Sequence, residues 1–297
     1  MTPQPIIPMI ILKPFKSVQI ENICGDPLNA NDIERFVAED EGFGDITTAL
    51  LPEISGSAQI IAREEGIVAG LSEAEDIFAY FDLTTTPLYS DGDTINARNA
   101  VMRLSGRIKD ILVSERVALN MLGRMSGIAT ITNRCRAAAG DVTIAATRKT
   151  TPGFRFYEKK AVAIGGGDPH RYALSDSYLF KDNHLRVLSI EEVLRKKKFF
   201  TKKVEVEVTS VDECLRAARM GADIIMFDNM DTESITSAIA ELKDLNLRDR
   251  VLLEASGGIT PENVRNYAST GVDVLSIGYL THSSPWLDFS LEVQTPD

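Results

Sequence analysis

After Gly140, short runs of β-branched and apolar residues alternate with longer segments in which apolar positions recur at helical spacing. This alternation is typical of repeated strand–helix units that build a parallel sheet. Six strands are predicted, at residues 142–147, 177–181, 203–208, 223–227, 250–254 and 273–277. Helices are predicted between them, at residues 152–164, 190–200, 211–220, 232–245 and 261–269.

The chain before residue 110 has a different pattern, in which short strand-like runs are separated by Gly and Asp-Gly signals. Strands grouped with few helices favour an antiparallel sheet with helices on one face. A long helical pattern over residues 113–139 then connects this part to the strand–helix repeats. The predicted strands are residues 57–62, 66–70, 87–90, 93–97 and 100–105, and the predicted helices are residues 32–41 and 72–81.

The number of strand–helix units and the place of the glycines decide the fold class. Six units are too few for a complete eight-unit barrel. A doubly wound open sheet would carry a Gly-rich turn after its first strand, and no GxGxxG follows that strand. The Gly-rich signals follow the last two strands, at residues 256–258 and at Gly278, where barrels commonly bind phosphate. We therefore expect an α/β fold with an incomplete α/β barrel.

Composition and charge narrow the class of protein. The chain has 297 residues, 44% of them hydrophobic and 25% charged, which is typical of a soluble globular protein. A net charge of −11 argues against binding to nucleic acid. The well-separated Cys24, Cys135 and Cys214 lack metal-ligand spacing and indicate a reduced, cytoplasmic protein. The apolar run at residues 6–12 lacks the features of a signal peptide, and we expect no membrane span.

Polar and charged residues follow the end of nearly every predicted strand in the second half of the chain. The carboxyl ends of barrel strands share one rim, which is where barrel active sites lie. From Ala146 to Arg186 there are eight basic residues against four acidic ones, which suits a small substrate with several negative charges. Glu207 and Asp228 suit ribose hydroxyls or a hydrated Mg²⁺. The residues alone thus predict phosphate chemistry on an acidic small molecule.

Several longer motifs, found in order from about residue 40 to 290, give the chain a specific resemblance. They are EGFGDITT at Glu41, SERVALNMLGRMSGIAT at Ser114, TRKTTPGFR at Thr147, GGGDPHR at Gly165, KDNH at Lys181, VEVE at Val204, DN at Asp228, ASGGI at Ala255 and IGYLTHS at Ile277. Together they resemble the quinolinate phosphoribosyltransferase family, also called nicotinate-nucleotide pyrophosphorylase (carboxylating). The resemblance covers nearly the whole chain.

The resemblance implies an N-terminal α/β sandwich domain over residues 1–112, a linking helix over 113–139 and the incomplete barrel over 140–279. Whether the tail at 280–297 returns to the first domain is left open. The implied reaction condenses quinolinate with phosphoribosyl pyrophosphate to give nicotinate mononucleotide, pyrophosphate and CO₂ for NAD biosynthesis, with Mg²⁺ as the cofactor. The implied assembly is a homodimer with shared active sites, and further assembly to a hexamer is left open.

The matching motifs also imply which residues bind quinolinate. Arg148, His170, Arg171 and Lys181 are expected to hold its carboxylates. The partner subunit's Arg116 is expected to enter the same site. Arg forks suit this role because they grip carboxylates through two parallel hydrogen bonds.

The sugar and its phosphates are expected to lie beside that acid pocket. Lys149 is expected to reach both substrates, and Glu207 and Asp228 are expected to contact the ribose and the Mg²⁺, directly or through water. These three residues are the expected catalytic set, in which Glu207 stabilises an oxocarbenium-like cation. The residues expected around the phosphate are Ser256, Gly257, Gly258, Gly278 and His282.

Three other interpretations of the same residues stay open. A molybdenum-transport-associated, pyrophosphorylase-like branch of the superfamily shares the fold, and Asp168-Pro169 stands here where quinolinate enzymes often have Asn. Lys181 could instead be the Schiff-base lysine of an aldolase-like lyase. The chain could also be a ligand-binding module without turnover.

Some polar residues have simpler structural interpretations. His184 is expected to be a structural hydrogen-bonding residue. Lys159 and Lys160 are expected on a solvated helix face. Glu205 and Glu207 alternate and therefore share one face of their strand, with a half-exposed strand as the plainer alternative.

Overall fold

The computed structural model describes residues 30–294, so Cys24 and the apolar run at residues 6–12 lie outside it. The first part of the chain contains α1 (Ala30–Glu41), β1 (Ser55–Ala62), β2 (Gly66–Ile67), α2 (Leu71–Tyr80), β3 (Thr84–Pro87), β4 (Thr94–Ile95), β5 (Ala100–Arg107) and α3 (Ile108–Ala139). The second part contains β6 (Thr143–Ala145), α4 (Arg155–Ile164), β7 (Tyr178–Phe180), α5 (Asp182–Leu185), α6 (Ile190–Lys196), β8 (Val204–Val208), α7 (Val211–Arg219), β9 (Ile224–Asp228), α8 (Thr232–Asp244), β10 (Leu252–Ser256), α9 (Val264–Ala268), β11 (Val274–Ser276), α10 (Tyr279–His282) and β12 (Phe289–Gln294).

Strands from both ends of the described chain form an antiparallel sheet in the order β12–β1–β5–β3. β12 runs antiparallel to β1, with Phe289 opposite Ala62. Ala58, Ile60 and Ala62 alternate as buried residues along β1, as expected for a sheet with one covered face. β2 and β4 pair separately as a short antiparallel ribbon.

Several boundaries in this part differ from the sequence prediction: β2 and β4 are shorter than predicted, β3 is shifted, and α3 begins earlier. The strand predicted at residues 87–90 is wrong, because β3 consists of three β-branched threonines and ends at Pro87. β3 is an edge strand, where a terminal proline costs no ladder hydrogen bond. α3 begins at Ile108 rather than at residue 113, directly after β5.

The parallel strands stand in the order β7–β8–β9–β10–β11–β6, so the first strand lies beside the last one. A single parallel bridge between Ala145 and Asp168 extends the outer edge of β6. Over residues 30–294, β6 and β7 do not pair, and the barrel is open between them. The predicted fold class, an antiparallel sheet with helices followed by an incomplete barrel of six parallel strands, is confirmed.

Strand β8 shows how the barrel sorts its side chains. All five residues are buried, with Val204, Val206 and Val208 on one face and Glu205 and Glu207 on the other. The half-exposed strand is therefore the wrong interpretation. Valines pack outward against the helices, and the two carboxylates point into the barrel.

Helix α3 packs against both parts of the chain, and the segment that leads to β12 packs on it. At Gly127 the two backbones are so close that a Cβ would lie 2.0 Å from the Pro285 carbonyl oxygen. The Leu287 N–H donates to the Gly123 carbonyl at 3.0 Å. Of the helices in the described range, none combines the length and the apolar composition needed to cross a bilayer.

Helix α4 lies between the two parts, and for this reason the expected solvated face for Lys159 and Lys160 is wrong. Both lysines are buried, with 0% and 1% of their surfaces exposed. The Lys160 Nζ lies 2.7 Å from Glu73 Oε1 and 3.1 Å from Ser72 Oγ, both on α2. Because a buried charge needs a partner, this ion pair fixes how α4 sits on the first part of the chain.

We expect Lys160→Met to lower the free energy of unfolding by about 3–5 kcal/mol, because it leaves Glu73 as a buried carboxylate without its cation. The double variant Lys160→Met/Glu73→Gln removes both charges and is expected to recover most of that loss. Urea denaturation followed by circular dichroism measures both. Equal instability of the single and double variants would contradict a pairing role.

Candidate active site

The register of the parallel strands brings acidic side chains to the rim of the barrel. Glu207 on β8 is level with Met226 on β9, which is level with Glu254 on β10. Two residues nearer the carboxyl ends, Asp228 is level with Ser256. Since alternate side chains of barrel strands point inward, these residues line the barrel interior at its carboxyl-terminal end.

Lys181, directly after β7, reaches one of these carboxylates. Its Nζ forms an ion pair with Glu207 Oε1, and the Asp182 N–H donates to Glu207 Oε2 at 3.4 Å. The Lys181 N–H donates to His184 Nδ1 at 3.0 Å, which is a structural role for that histidine at the start of α5. The short helix therefore fixes the backbone from which Lys181 enters the rim.

His170 lies on a turn that has an uncommon backbone conformation. Its φ is +54°, and Asp168 Oδ1 stabilises the turn by accepting the His170 N–H at 2.6 Å. Nε2 of His170 lies 3.3 Å from Glu254 Oε2. Burial opposes the charged imidazolium, yet the hydrogen bond and charge of Glu254, with Glu205 and Asp168, outweigh it and raise the pKa of His170.

Glu205 lies close to His170 and Glu254. Neither of its carboxyl oxygens has a hydrogen-bond partner in the described chain. Burial, followed by the negative charge of Glu254, raises its pKa to about 8, against the opposing effects of His170, Arg171 and Lys181. Glu205 is therefore largely protonated at neutral pH.

The two guanidinium groups of the predicted acid pocket lie within electrostatic reach of each other. Burial and the nearby charge of Arg148 lower the pKa of Arg171, while Glu205, Glu207 and Glu254 act in the opposite direction. The Nε of Arg148 is buried and has no hydrogen-bond partner among the described residues. Such a group costs free energy unless an anion satisfies it.

Lys149 and the end of the last barrel strand meet at Gly278. A Cβ at Gly278 would lie 2.9 Å from His282 Nε2 and 3.2 Å from Lys149 Cδ. The Thr281 hydroxyl donates to the Lys149 carbonyl at 2.8 Å. Lys149, Gly278 and His282 therefore form one side of the rim.

The Ser256–Gly258 turn packs on the end of β9. The Asn229 N–H donates to the Ser256 carbonyl at 2.9 Å. Gly257 has a φ of +95°, and a Cβ there would lie 2.3 Å from Asn229 Oδ1, so this position requires glycine. The turn thus lies beside Asp228, the last residue of β9.

A buried ion pair behind the rim connects its loops. Glu158 on α4 accepts hydrogen bonds from the Thr151 N–H at 3.0 Å and from Arg124 Nη2 at 2.6 Å. Arg124, on α3, also donates to the carbonyls of Thr281 and Ser284. One pair of side chains therefore orients both the loop of Lys149 and the loop of His282.

Arg116 does not join this cluster. It lies on α3, and its exposed side chain makes no hydrogen bond or ion pair with any other residue in the range 30–294. Within one chain the structure thus brings the other predicted side chains to one rim and leaves Arg116 outside it.

Two sets of oxygen and nitrogen donors are candidates for a cation. Donor atoms of His170, Glu205 and Glu254 lie within 4.8 Å of one another, but burial favours the protonated form of Glu205, and His170 is already paired with Glu254. Glu207 and Asp228 offer the hard oxygen donors that Mg²⁺ prefers. Both Glu207 oxygens accept protein hydrogen bonds, which fits contact with a hydrated ion better than direct ligation.

Sequence reasoning expected Glu205 and Glu254 on the rim but assigned them no role in the site, and it missed Arg124 and Glu158. Glu205 and Glu254 have a usable signal, since acidic residues in otherwise apolar strands face a polar interior. Arg124 and Glu158 have none, because each lies in an ordinary helical pattern and the contact is long-range.

We expect Glu205→Gln to reduce the loss of stability as pH rises. The folded chain keeps the Glu205 proton up to about pH 8, whereas the unfolded carboxyl releases it near its ordinary pKa, so stability falls between these values. Glu205→Gln removes this difference in protonation between the folded and unfolded chains. The variant should therefore lose about 1–2 kcal/mol less free energy of unfolding than the native protein between about pH 6 and about pH 8. Urea denaturation at each pH measures it, with Glu233→Gln on the surface of α8 as control. The same pH dependence in both variants would contradict a protonated Glu205.

Comparison with known proteins places the chain in a family. The models of the quinolinate phosphoribosyl transferase N-terminal and C-terminal domains match residues 45–126 and 128–292. A probable nicotinate-nucleotide pyrophosphorylase (carboxylating) of Archaeoglobus fulgidus is 48% identical over 256 residues, covering 84% of this chain and 98% of that protein. The structure of the nicotinate-nucleotide pyrophosphorylase from Francisella tularensis has a TM-score of 0.83 and 38% identity, covering 91% of this chain and 99% of that one. This chain therefore belongs to the quinolinate phosphoribosyltransferase family.

Proposed function

We propose that the protein is a quinolinate phosphoribosyltransferase, which converts quinolinate and phosphoribosyl pyrophosphate to nicotinate mononucleotide, pyrophosphate and CO₂ in NAD biosynthesis. The observation that carries this proposal is the meeting of Arg148, Arg171 and Lys181 with the carboxylate of Glu207 at one barrel rim. Cations for a diacid and an acid for a developing sugar cation are the two groups that this reaction needs.

The acid pocket consists of Arg148, His170, Arg171 and Lys181. The free Nε of Arg148 and the imidazole of His170, whose pKa is raised by Glu254, supply donors for the two quinolinate carboxylates. Lys149 extends from the same loop as Arg148 toward Gly278, between the acid pocket and the phosphate side of the rim.

The sugar lies next to the acid pocket, beside Glu207 and Asp228, which face the barrel interior. Cleavage of the bond from ribose C1 to pyrophosphate creates an oxocarbenium-like cation, which the Glu207 carboxylate stabilises. A hydrated Mg²⁺ near Glu207 and Asp228 would neutralise charge on the leaving pyrophosphate. The phosphate of the sugar is assigned to Ser256, Gly257, Gly258, Gly278 and His282.

The second bond-breaking step removes a carboxylate from the pyridine ring. The quinolinate nitrogen bonds to ribose C1 as the pyrophosphate leaves, and so becomes a pyridinium nitrogen. Loss of CO₂ from the neighbouring ring carbon then leaves a carbanion-like centre, which the cationic ring stabilises until it takes up a proton to give nicotinate mononucleotide. The protein positions the ring and excludes water, and this account needs no covalent nucleophile.

Exposed apolar side chains support a homodimer in which the partner subunit's Arg116 completes the site. Phe43, Ile46 and Leu50 are exposed on one segment after α1. Ile46 and Leu112 line a shared cavity of about 230 Å³, which puts this segment beside the turn of α3 that precedes Arg116. A second copy covering this surface would bury the apolar residues and carry Arg116 toward another rim. Assembly of such dimers into a hexamer is compatible with this arrangement.

A cytoplasmic location is part of the proposal. Cys135 and Cys214 are free and buried. Burial raises the pKa of the Cys135 thiol to about 11, so little reactive thiolate forms at neutral pH. Unpaired thiols of this kind suit a reducing compartment.

The alternative functions have weaker support. A Schiff-base lysine must be neutral to attack a carbonyl, and Lys181 forms an ion pair with Glu207. The departure at Asp168-Pro169, which favoured the molybdenum-associated branch, has a structural role here because Asp168 holds the His170 turn.

Incubation of the pure protein with carboxyl-labelled quinolinate, phosphoribosyl pyrophosphate and Mg²⁺ tests the proposal. We expect labelled CO₂ and nicotinate mononucleotide in equal amounts. Folded protein that releases neither product would overturn the assignment, and a borohydride-trapped adduct with a carbonyl substrate would favour the lyase.

We expect Arg148→Ala to raise the KM for quinolinate about a hundredfold and the KM for phosphoribosyl pyrophosphate far less. Loss of one preorganised charged contact costs on the order of 3 kcal/mol. Initial rates measured with each substrate varied in turn separate the two constants. Equal effects on both would remove Arg148 from the acid pocket.

We expect an inactive Arg116→Ala subunit mixed with an inactive Glu207→Ala subunit to regain activity. In the mixed dimer, one site receives an intact rim from one chain and an intact Arg116 from the other, so about a quarter of all sites are functional in a random mixture. Rates before and after subunit exchange measure this. No recovery, with exchange demonstrated by mass, would show that each site is contained in one chain.

A further inference from the structure

Helix α4 presents two cations, one turn apart, to the turn that carries His170 and Arg171. Arg155 and Lys159 are four residues apart and therefore lie on the same face of the helix. Lys159 is fully buried and Arg155 is partly buried. The expected roles of the rim residues do not use either of them.

The two side chains hold the backbone on both sides of the His170–Arg171 pair. Lys159 Nζ donates to the Pro169 carbonyl. Arg155 Nη1 donates to the Tyr172 carbonyl at 2.9 Å. Arg155 Nε also donates to Thr150 Oγ1 at 2.9 Å, and so reaches the loop of Arg148 and Lys149.

The start of the turn is tied to the barrel itself. The Asp168 N–H donates to the Ile144 carbonyl at 2.7 Å, and the Ala146 N–H donates to the Asp168 carbonyl at 2.9 Å. With β6 holding residue 168 and α4 holding residues 169 and 172, the left-handed backbone of His170 has a fixed frame on each side.

Lys159 is also a buried charge without a close counter-ion. Among residues 30–294, no carboxylate lies within ion-pair distance of its Nζ, and the ring of Tyr172 lies 5.3 Å away. Burial lowers its pKa to about 8; Asp168 opposes this shift, and Arg155, Arg148 and Arg171 reinforce it. Four cations thus share one side of the rim, an arrangement that a bound dianion would relieve.

We propose that Arg155 and Lys159 are positioning residues that hold the His170–Arg171 turn and make the pocket selective for dicarboxylates over monocarboxylates. The inference rests on the proposed function, since it assigns that pocket to the acid substrate. Coulomb energy scales with ligand charge, so a doubly charged ligand gains about twice as much from each buried cation as a singly charged one.

Isothermal titration calorimetry with benzene-1,2-dicarboxylate and with benzoate tests the proposal without turnover. We expect Lys159→Met to weaken binding of the dicarboxylate about tenfold or more and that of benzoate less than about threefold. Lys159→Arg keeps the charge and a donor and is expected to stay within about threefold of the native protein for both ligands. In turnover, Lys159→Met should raise the KM for quinolinate and leave the KM for phosphoribosyl pyrophosphate near its native value.

The matched control is Lys160→Met/Glu73→Gln, which removes the neighbouring buried lysine of the same helix together with its partner on α2. This variant is expected to bind both acids as the native protein does. If it weakens dicarboxylate binding as much as Lys159→Met does, the effect is one of helix packing and the proposal is overturned. Equal weakening of both acids by Lys159→Met would also overturn selectivity.

Failure of the proposed function gives a different result. Native protein that binds the dicarboxylate selectively through Lys159 but forms no mononucleotide would support the inference and reject the transferase. Native protein that binds neither acid would overturn both. If Lys159→Met does not fold, Arg155→Lys, which keeps the charge and loses the forked contact to Thr150 and Tyr172, must weaken dicarboxylate binding or the proposal fails.

Discussion

Carboxylates inside the barrel pair with basic side chains at its rim. The rest of the site depends on these short-range charge pairs. Glu207 pairs with Lys181, and Glu254 pairs with His170. Both carboxylates stand on strands whose outer faces pack against helices, so they cannot move away from the rim. The strands therefore fix the two carboxylates, and Lys181 and His170, which stand on loops, pair with them.

Buried side chains behind the rim hold the loops that carry the basic residues. The Arg124–Glu158 pair reaches the loops of Lys149 and His282 at once, through hydrogen bonds to backbone groups. Helix α4 supports the His170 turn in the same manner. Preorganisation of this kind matters because a charged contact stabilises a transition state only where its geometry is already in place.

The strand–helix repeat was predictable because a parallel sheet buried on both faces imposes apolar runs of strand length between helical patterns. The position of the six strands and the glycine turns after the last two therefore follows from local sequence. β12 was not predicted as a strand, since its pairing with β1 is a long-range contact that the local sequence does not mark. The short helices α5 and α10 were missed as well, because four residues give too little periodicity to detect.

Side-chain environment on α4 shows why the candidate site could be predicted only in part. A helix pattern assigns one apolar face and one polar face, and the polar face is expected in water. α4 has protein on both sides, with α2 against Lys160 and the His170 turn against Lys159. The polar face is therefore buried, and neither the Glu73 partner nor the Pro169 partner is marked in the local sequence.

These adjacent lysines also show how the fold separates stability from ligand binding. Lys160 has a carboxylate at 2.7 Å, so its charge is satisfied within the chain. Lys159 donates to a carbonyl and lies among other cations, with Asp168 as a nearby negative charge but no ion pair, so under our proposal an anion in the pocket adds to the balance of its charge. A buried cation that lacks a counter-ion is costly to a folded protein that binds nothing. Its position beside Arg148 and Arg171 is consistent with our proposal that the pocket binds an anion with more than one charge.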